Sequence, residues 1–208
     1  MIISEVSYTN AKEWLRQYID THCIVRNTVM PGKAPNTTYT WMFYLRKGLF
    51  NPSFINAVSQ CFLYKMEREV DTKFNFQITG LETAATPMLV GIPIVARAFN
   101  ININSFVVRK EQKEYGLRNW TEGIVNDNTP IVMLDDLCNS SVSLARCLDI
   151  LLHAHTNANV LPVAFTIVNK SNKTHDITRR TGDMYLPDDF RVISIFDLDD
   201  FNLTNPSH

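Results

Sequence analysis

The sequence predicts an α/β protein whose core is a parallel sheet flanked by helices. Three observations carry that prediction. From residue 74 onward, short apolar runs alternate with stretches of helical periodicity, which is the pattern of βαβ units. The chain has 208 residues and a 45% apolar fraction, ample for one buried core of ordinary size. The segments after Thr79, Val108 and Leu134 leave the carboxyl ends of adjacent strands, where ligands of such sheets bind. A single domain over residues 1–208 follows, with an N-terminal appendage over about 1–50 and the α/β core over about 70–200.

Taken in order, residues 8–22 read as a helix, with Asn10 a candidate cap and Ala11, Trp14, Leu15 and Tyr18 recurring along it. Pro31, Gly32, Pro35 and Asn36 mark Asn27–Thr38 as a loop or hairpin, and the aromatic run Thr38–Leu45 as a strand. Pro52–Glu69 is helical, with Phe54, Ala57, Val58, Cys61, Phe62 and Met66 on one face. Phe74–Thr79 reads as a strand. Thr86–Phe99 reads as a helix that Pro93 must bend or interrupt. Ile101–Val108 is a strand, and Lys110–Asn128 is long, polar and irregular. Ile131–Leu134 is a compact strand, Ser141–His153 a helix, and Val160–Val168 and Arg191–Phe196 two further strands.

Composition removes several classes of function. With 20 basic and 21 acidic residues, no global charge draws the chain to nucleic acid or anionic membrane. The N-terminus lacks the basic and apolar regions of a signal peptide, and no apolar run approaches the ~20 residues that span a bilayer. The four cysteines, Cys23, Cys61, Cys138 and Cys147, form no CxxC pair and no metal-ligand spacing with histidine. They read as buried free thiols in a reducing compartment, so the expected location is the cytoplasm.

The most informative motif is Pro130-Ile131-Val132-Met133-Leu134-Asp135-Asp136-Leu137-Cys138-Asn139-Ser140-Ser141-Val142-Ser143. An apolar strand ends in two acids, and a run of small hydroxyl residues opens a helix. Adjacent carboxylates at a strand end accept hydrogen bonds from a pair of ribose hydroxyls. Backbone N–H groups and hydroxyls at a helix N-terminus suit a phosphate monoester. An acidic turn into a Ser-capped helix accounts for the same residues without a ligand.

This segment resembles the motif by which type I phosphoribosyltransferases bind phosphoribosyl pyrophosphate (PRPP). By that resemblance Asp135 and Asp136 hold the ribose, and Asn139, Ser140, Ser141, Val142 and Ser143 hold the 5′-phosphate. The family usually has threonine where Asn139 stands and glycine where Ser141 stands, and replacing that glycine introduces strain if its φ is positive. Val107-Val108-Arg109-Lys110-Glu111-Gln112-Lys113-Glu114-Tyr115-Gly116 is similar to the orotate phosphoribosyltransferase pattern Arg-Lys-Glu-x-Lys-x-His-Gly, with Tyr115 in place of histidine. Clustered cations there stabilise departing pyrophosphate, and a closing loop excludes water. Ile78-Thr79-Gly80-Leu81-Glu82-Thr83-Ala84-Ala85-Thr86-Pro87 resembles the family's Gly-x-Glu-Thr-Gly-Gly-x-Pro turn, with Ala84 and Ala85 replacing glycines. Tyr39–Arg46 sits where the family has Ser-Pro-aromatic-aromatic-x-Asp-Leu-Arg, with Tyr44 replacing the acid and Lys33 upstream.

The resemblance, in order over residues 25–170, implies a type I phosphoribosyltransferase-like sheet with a small N-terminal hood. It implies displacement of pyrophosphate from PRPP by a base nitrogen, most like the orotate-using members, through an oxocarbenium-like transition state. Arg109, Lys110, Lys113 and Asp136 become the catalytic candidates. Leu81, Glu82, Thr83 and Ala84 become the pyrophosphate loop, and Lys33, Trp41 and Phe43 the binders of a planar, pyrimidine-like base. Mg²⁺ would be held mainly by PRPP, with Asp135 a possible ligand. A homodimer is implied, with loop 109–121 acting on the neighbouring subunit. The alternative is a catalytically weakened protein that binds PRPP or a nucleotide for regulation.

Overall fold

The computed structural model describes residues 2–31, 38–70, 73–112, 119–171 and 186–203. Helix α1 (Glu5–Tyr18) begins earlier than the periodicity suggests. Its cap is Ser4, whose hydroxyl accepts the Ser7 N–H at 3.1 Å, so Asn10 lies inside the helix. Glu5 in the first turn complements the positive end of the helix dipole. A π-helical turn, Ile19–Cys23, then leads into the antiparallel hairpin β1 (Ile24–Pro31) and β2 (Thr38–Phe43). A short helix α2 (Arg46–Leu49) precedes α3 (Pro52–Glu69). Asn51 caps α3 by accepting the N–H groups of Ser53 and Phe54, and Pro52 supplies the pre-set φ of a first helical residue.

The core sheet comprises β3 (Gln77–Leu81), β4 (Asn104–Val108), β5 (Thr121–Gly123), β6 (Ile131–Cys138), β7 (Val160–Asn169) and β8 (Arg191–Asp197). Their order is β5-β4-β3-β6-β7-β8, with β5 antiparallel to β4 and the other pairings parallel. Helices α4 (Thr86–Arg97) and α5 (Val142–Ala154) follow β3 and β6. Alternation along β6 divides the core. Val132 and Leu134 join the cluster under α1, α3 and α4, while Ile131 and Met133 join the cluster under α5.

Further expectations change along the chain. The strand expected at Phe74–Thr79 is shifted to Gln77–Leu81, because Lys73 and Phe74 take positive φ and form a turn. The strand expected from Ile101 begins at Asn104. The polar stretch 110–128 contains β5, an edge strand whose pairing with β4 supplies the order its composition hides. Pro93 does not interrupt α4. A proline inside a helix costs about 3 kcal/mol. Burial of Met88, Leu89 and Ile92 on that helix returns roughly 1.5–3 kcal/mol each. No helix among the described residues is long and apolar enough to cross a membrane.

Candidate functional site

Strand β6 is longer than its apolar run. It pairs with β7 as far as Cys138↔Asn169, so Asp135 and Asp136 lie within the strand rather than beyond it. Although adjacent on the strand, both carboxylates line one cavity and interact side chain to side chain. The charge of Asp135 is felt at Cys147 of α5, and that of Asp136 by the Arg46 guanidinium of α2. Burial pushes the Asp135 carboxyl up to about 7, and the charge of Asp136 adds to the rise. Burial also raises Asp136, opposed by the Arg46 guanidinium. The Asp136 N–H donates to an Asp135 carboxylate oxygen at 3.0 Å, which fixes the pair's geometry.

Two cavities meet at Asp135. The larger, about 450 Å³, is walled by β2, by the segment Leu137–Ser143 and by Lys170. The smaller, about 370 Å³, lies between Arg46, the loop Leu81–Ala84, Lys110 and the two aspartates. Asp135 and Ser143 line both. Asn139, Ser140, Ser141, Val142 and Ser143 lie together around the start of α5, whose first-turn N–H groups have no partner within the helix. Ser141 is left-handed, with φ 58° and ψ 7°, at the position where the resemblance places glycine. Its hydroxyl makes no capping bond and instead lies 3.3 Å from the Cys138 sulfur.

The hairpin closes the larger cavity. Trp41 and Phe43 are both 6% exposed, and Phe43 packs edge-on against Phe201 at 5.2 Å. Lys170 Nζ stands 4.7 Å from the Trp41 ring centroid and 5.9 Å from that of Tyr39. Burial lowers the Lys170 pKa. Lys170 lies outside the motif segments, and Arg46 is the last residue of the Tyr39–Arg46 segment, from which only Trp41 and Phe43 count as site candidates. Lys170 carried a signal, since it directly follows an apolar strand at the ligand-binding end of the sheet. Arg46 follows the aromatic hairpin strand and opens α2.

Around the smaller cavity, the loops after β3 and β4 come together. Leu81, Glu82 and Ala84 line it, whereas Thr83 lies on the other side of the loop in an apolar groove with Pro87 and Val90. The Glu82–Thr83 peptide bond is cis. Gly80 brings β3 against β6, since a Cβ there would lie 2.4 Å from the Leu134 carbonyl oxygen. The Lys110 N–H donates to Glu82 at 3.0 Å, and its carbonyl accepts from Arg146 at 2.8 Å. Arg109 does not line the cavity. Its guanidinium is 3.2 Å from Glu122 and 3.9 Å from Glu82. Lys33, Lys113 and Tyr115 lie outside the described residues.

No group of three or more His, Cys, Asp or Glu side chains among the described residues is arranged to hold a metal ion by itself. The Asp135–Asp136 pair nonetheless suits a hard dication that brings most of its oxygen ligands with a substrate, because such an ion would offset the repulsion and burial that raise both carboxyls.

No protein-family model matches the chain. The orotate phosphoribosyltransferase of Methanococcus maripaludis is 21% identical over 145 residues, which cover 70% of this chain and 72% of that protein. The orotate phosphoribosyltransferase of Mycobacterium tuberculosis superposes with a TM-score of 0.72 at 15% identity, covering 93% of this chain and 99% of that one. A structure of the same enzyme in complex with PRPP superposes at 0.59 and 14% identity, covering 96% and 93%.

Proposed function

We propose that this chain, which has the type I phosphoribosyltransferase fold and is most similar to orotate phosphoribosyltransferases, transfers the phosphoribosyl group of PRPP to a pyrimidine-like base with release of pyrophosphate. The observation that carries the reading is the meeting of two cavities at Asp135, one running to the α5 N-terminus and the other to Lys110. That arrangement gives each part of PRPP its own chemistry. The 5′-phosphate takes the N–H groups and hydroxyls of Asn139–Ser143. The ribose diol donates to Asp135 and Asp136. The diphosphate enters the smaller cavity beside Lys110. The base lies against the Tyr39–Trp41 wall, where the Lys170 ammonium suits an acidic base such as orotate.

Reaction breaks the bond between C1 and the diphosphate oxygen and forms a bond from C1 to the base nitrogen, the displaced electron pair leaving on pyrophosphate and the proton of the base N–H passing to solvent or to the released pyrophosphate. Positive charge develops on the ribose, next to Asp135 and Asp136, and negative charge on the leaving group, next to Lys110. Mg²⁺, bound mainly by PRPP oxygens and by Asp135, would supply further neutralisation of the diphosphate. The clamps on Lys110 from Glu82 and Arg146 support its action within its own chain. Lys113, further along loop 109–121, reaches the leaving group of the neighbouring subunit in a homodimer. Four free, buried cysteines support a reducing, cytoplasmic location.

The test is pyrophosphate release from PRPP with a panel of pyrimidine and purine bases, with and without Mg²⁺. Release only with an acidic pyrimidine and Mg²⁺ is the expected outcome. PRPP binding without release for any base would establish the regulatory binding protein instead.

A further inference from the structure

We infer that Arg46 is a diphosphate-binding residue, supplied by the hood side of the site, that compensates for a pyrophosphate loop with no cation of its own. The inference rests on the phosphoribosyltransferase reading and adds a residue that the three core motifs do not contain.

The argument begins with charge. The smaller cavity is lined by three carboxylates, Glu82, Asp135 and Asp136, and by two cations, Arg46 and Lys110. The loop after β3 contributes Leu81, Glu82 and Ala84 there, so its side chains add only negative charge. Arg109, the other cation near that loop, is held by Glu82 and Glu122. A diphosphate entering this space brings several negative charges, and burial without matching cations is costly. Arg46 and Lys110 are the cations the described lining offers, and they approach from different elements, α2 and the end of β4.

The second part is placement. Arg46 opens α2, a helix of one turn whose backbone is firmly seated. Leu45 and Leu49 on either side are 2% and 1% exposed. Gly48 lies against the Phe54 ring so closely that a Cβ would sit 2.7 Å from it. The Tyr44 N–H donates to the Cys23 carbonyl at 2.6 Å, which ties the start of this segment to the π-helical turn. A rigid mount of this kind presents the exposed Arg46 side chain over the cavity at small entropic cost. A guanidinium also matches two phosphate oxygens with a planar fork of donors.

The third part is the relation to Asp136. Without ligand, Arg46 and Asp136 line the same cavity, and the guanidinium charge offsets the burial of the carboxyl. With PRPP bound, the ribose diol takes over Asp136, and the guanidinium turns to the diphosphate. Arg46 therefore favours the diphosphate over a bare ribose phosphate, which a purely structural hood residue would not do.

Calorimetric titration of the full chain with three probes tests this: PRPP, inorganic pyrophosphate and ribose 5-phosphate, each with Mg²⁺. For Arg46→Gln the expected result is a loss of about 10- to 100-fold in affinity for PRPP and pyrophosphate, with ribose 5-phosphate unchanged within about twofold. Arg46→Lys should restore part of the loss, because it keeps the charge but not the fork. Equal weakening of ribose 5-phosphate would show that Arg46 only maintains Asp136 or the hood, and would overturn the inference. Undiminished PRPP affinity in Arg46→Gln would overturn it too, leaving the transferase reading intact. Failure of the unaltered protein to bind either PRPP or ribose 5-phosphate would sink both together.

Discussion

The aspartate pair is held at a cost to the fold. Asp135 has an ordinary pKa of 3.8 and is pushed up to about 7 by burial and by Asp136. Between about pH 4 and 7 the folded protein therefore keeps a proton that the unfolded chain has released. Stability contributed by this group falls as pH rises through that window and is level above it. Replacing both acids, Asp135→Asn with Asp136→Asn, should abolish PRPP binding and yet raise the melting temperature by about 2–8 °C at pH 8. The gap between variant and unaltered protein should shrink at pH 5. Melting curves at the two pH values check this, and a gap that does not depend on pH would mean that the pair is not strained by its charge. Ser141 gives a second residue-level prediction. It is left-handed at φ 58° and its hydroxyl caps nothing, so glycine there should stabilise the chain by about 1 kcal/mol, read from urea unfolding. The need for glycine chemistry at this position was legible from the resemblance. The sign of φ was not, because serine itself gives no hint of it.

At the scale of elements, Gly80 lets β3 approach β6 closely just before Leu81, Glu82 and Ala84, which line the smaller cavity. Gly80→Ala places a methyl 2.4 Å from the Leu134 carbonyl oxygen and 2.5 Å from the Ala85 Cβ. A backbone atom cannot yield by rotation, so the strands must separate. The expected cost is about 1–3 kcal/mol of stability, together with weakened pyrophosphate binding measured by calorimetry. Unchanged stability would mean that the sheet accommodates the methyl without opening. Elements with strong periodicity or caps were readable in the sequence. Asn51-Pro52 and the apolar face from Phe54 to Met66 define α3 at both ends. β5 was not readable, because three residues of an edge strand carry no period and owe their conformation to pairing with β4. The start of α1 is ambiguous in the sequence because two polar residues, Ser4 and Asn10, compete as caps, and only the packed structure chooses. The site was legible where a motif is continuous, as in Asp135–Ser143. Lys170 and Arg46 join it through topology, which local sequence does not record.

At the scale of the whole molecule, an apolar groove of about 500 Å³ runs behind the pyrophosphate loop, walled by α3 and α4. It carries Phe50, Val90 and Ile94, which are 76%, 57% and 66% exposed. Thr83 and Pro87 share the groove, so a second copy of the chain seated there would lie directly against the loop whose front faces the diphosphate. Ile94→Glu should convert the proposed dimer to a monomer in sedimentation and reduce turnover with it. A dimer that persists would place the interface elsewhere. Mixing Lys113→Ala chains with Asp136→Asn chains should restore part of the activity if the loop serves its neighbour, and no recovery despite subunit exchange would confine it to its own chain. The packing of Phe43 on Phe201 and of Phe201 on Phe196 has a further consequence, for the order of events during synthesis. The hairpin emerges from the ribosome early, but its aromatic seat is translated roughly 10–30 s later at ordinary elongation rates. Throughout that interval the hairpin has only its N-terminal neighbours in the core, such as Leu15, Ile19 and Phe54, to pack against. Final seating of the hairpin therefore waits for the segment after the last strand, which carries Phe201.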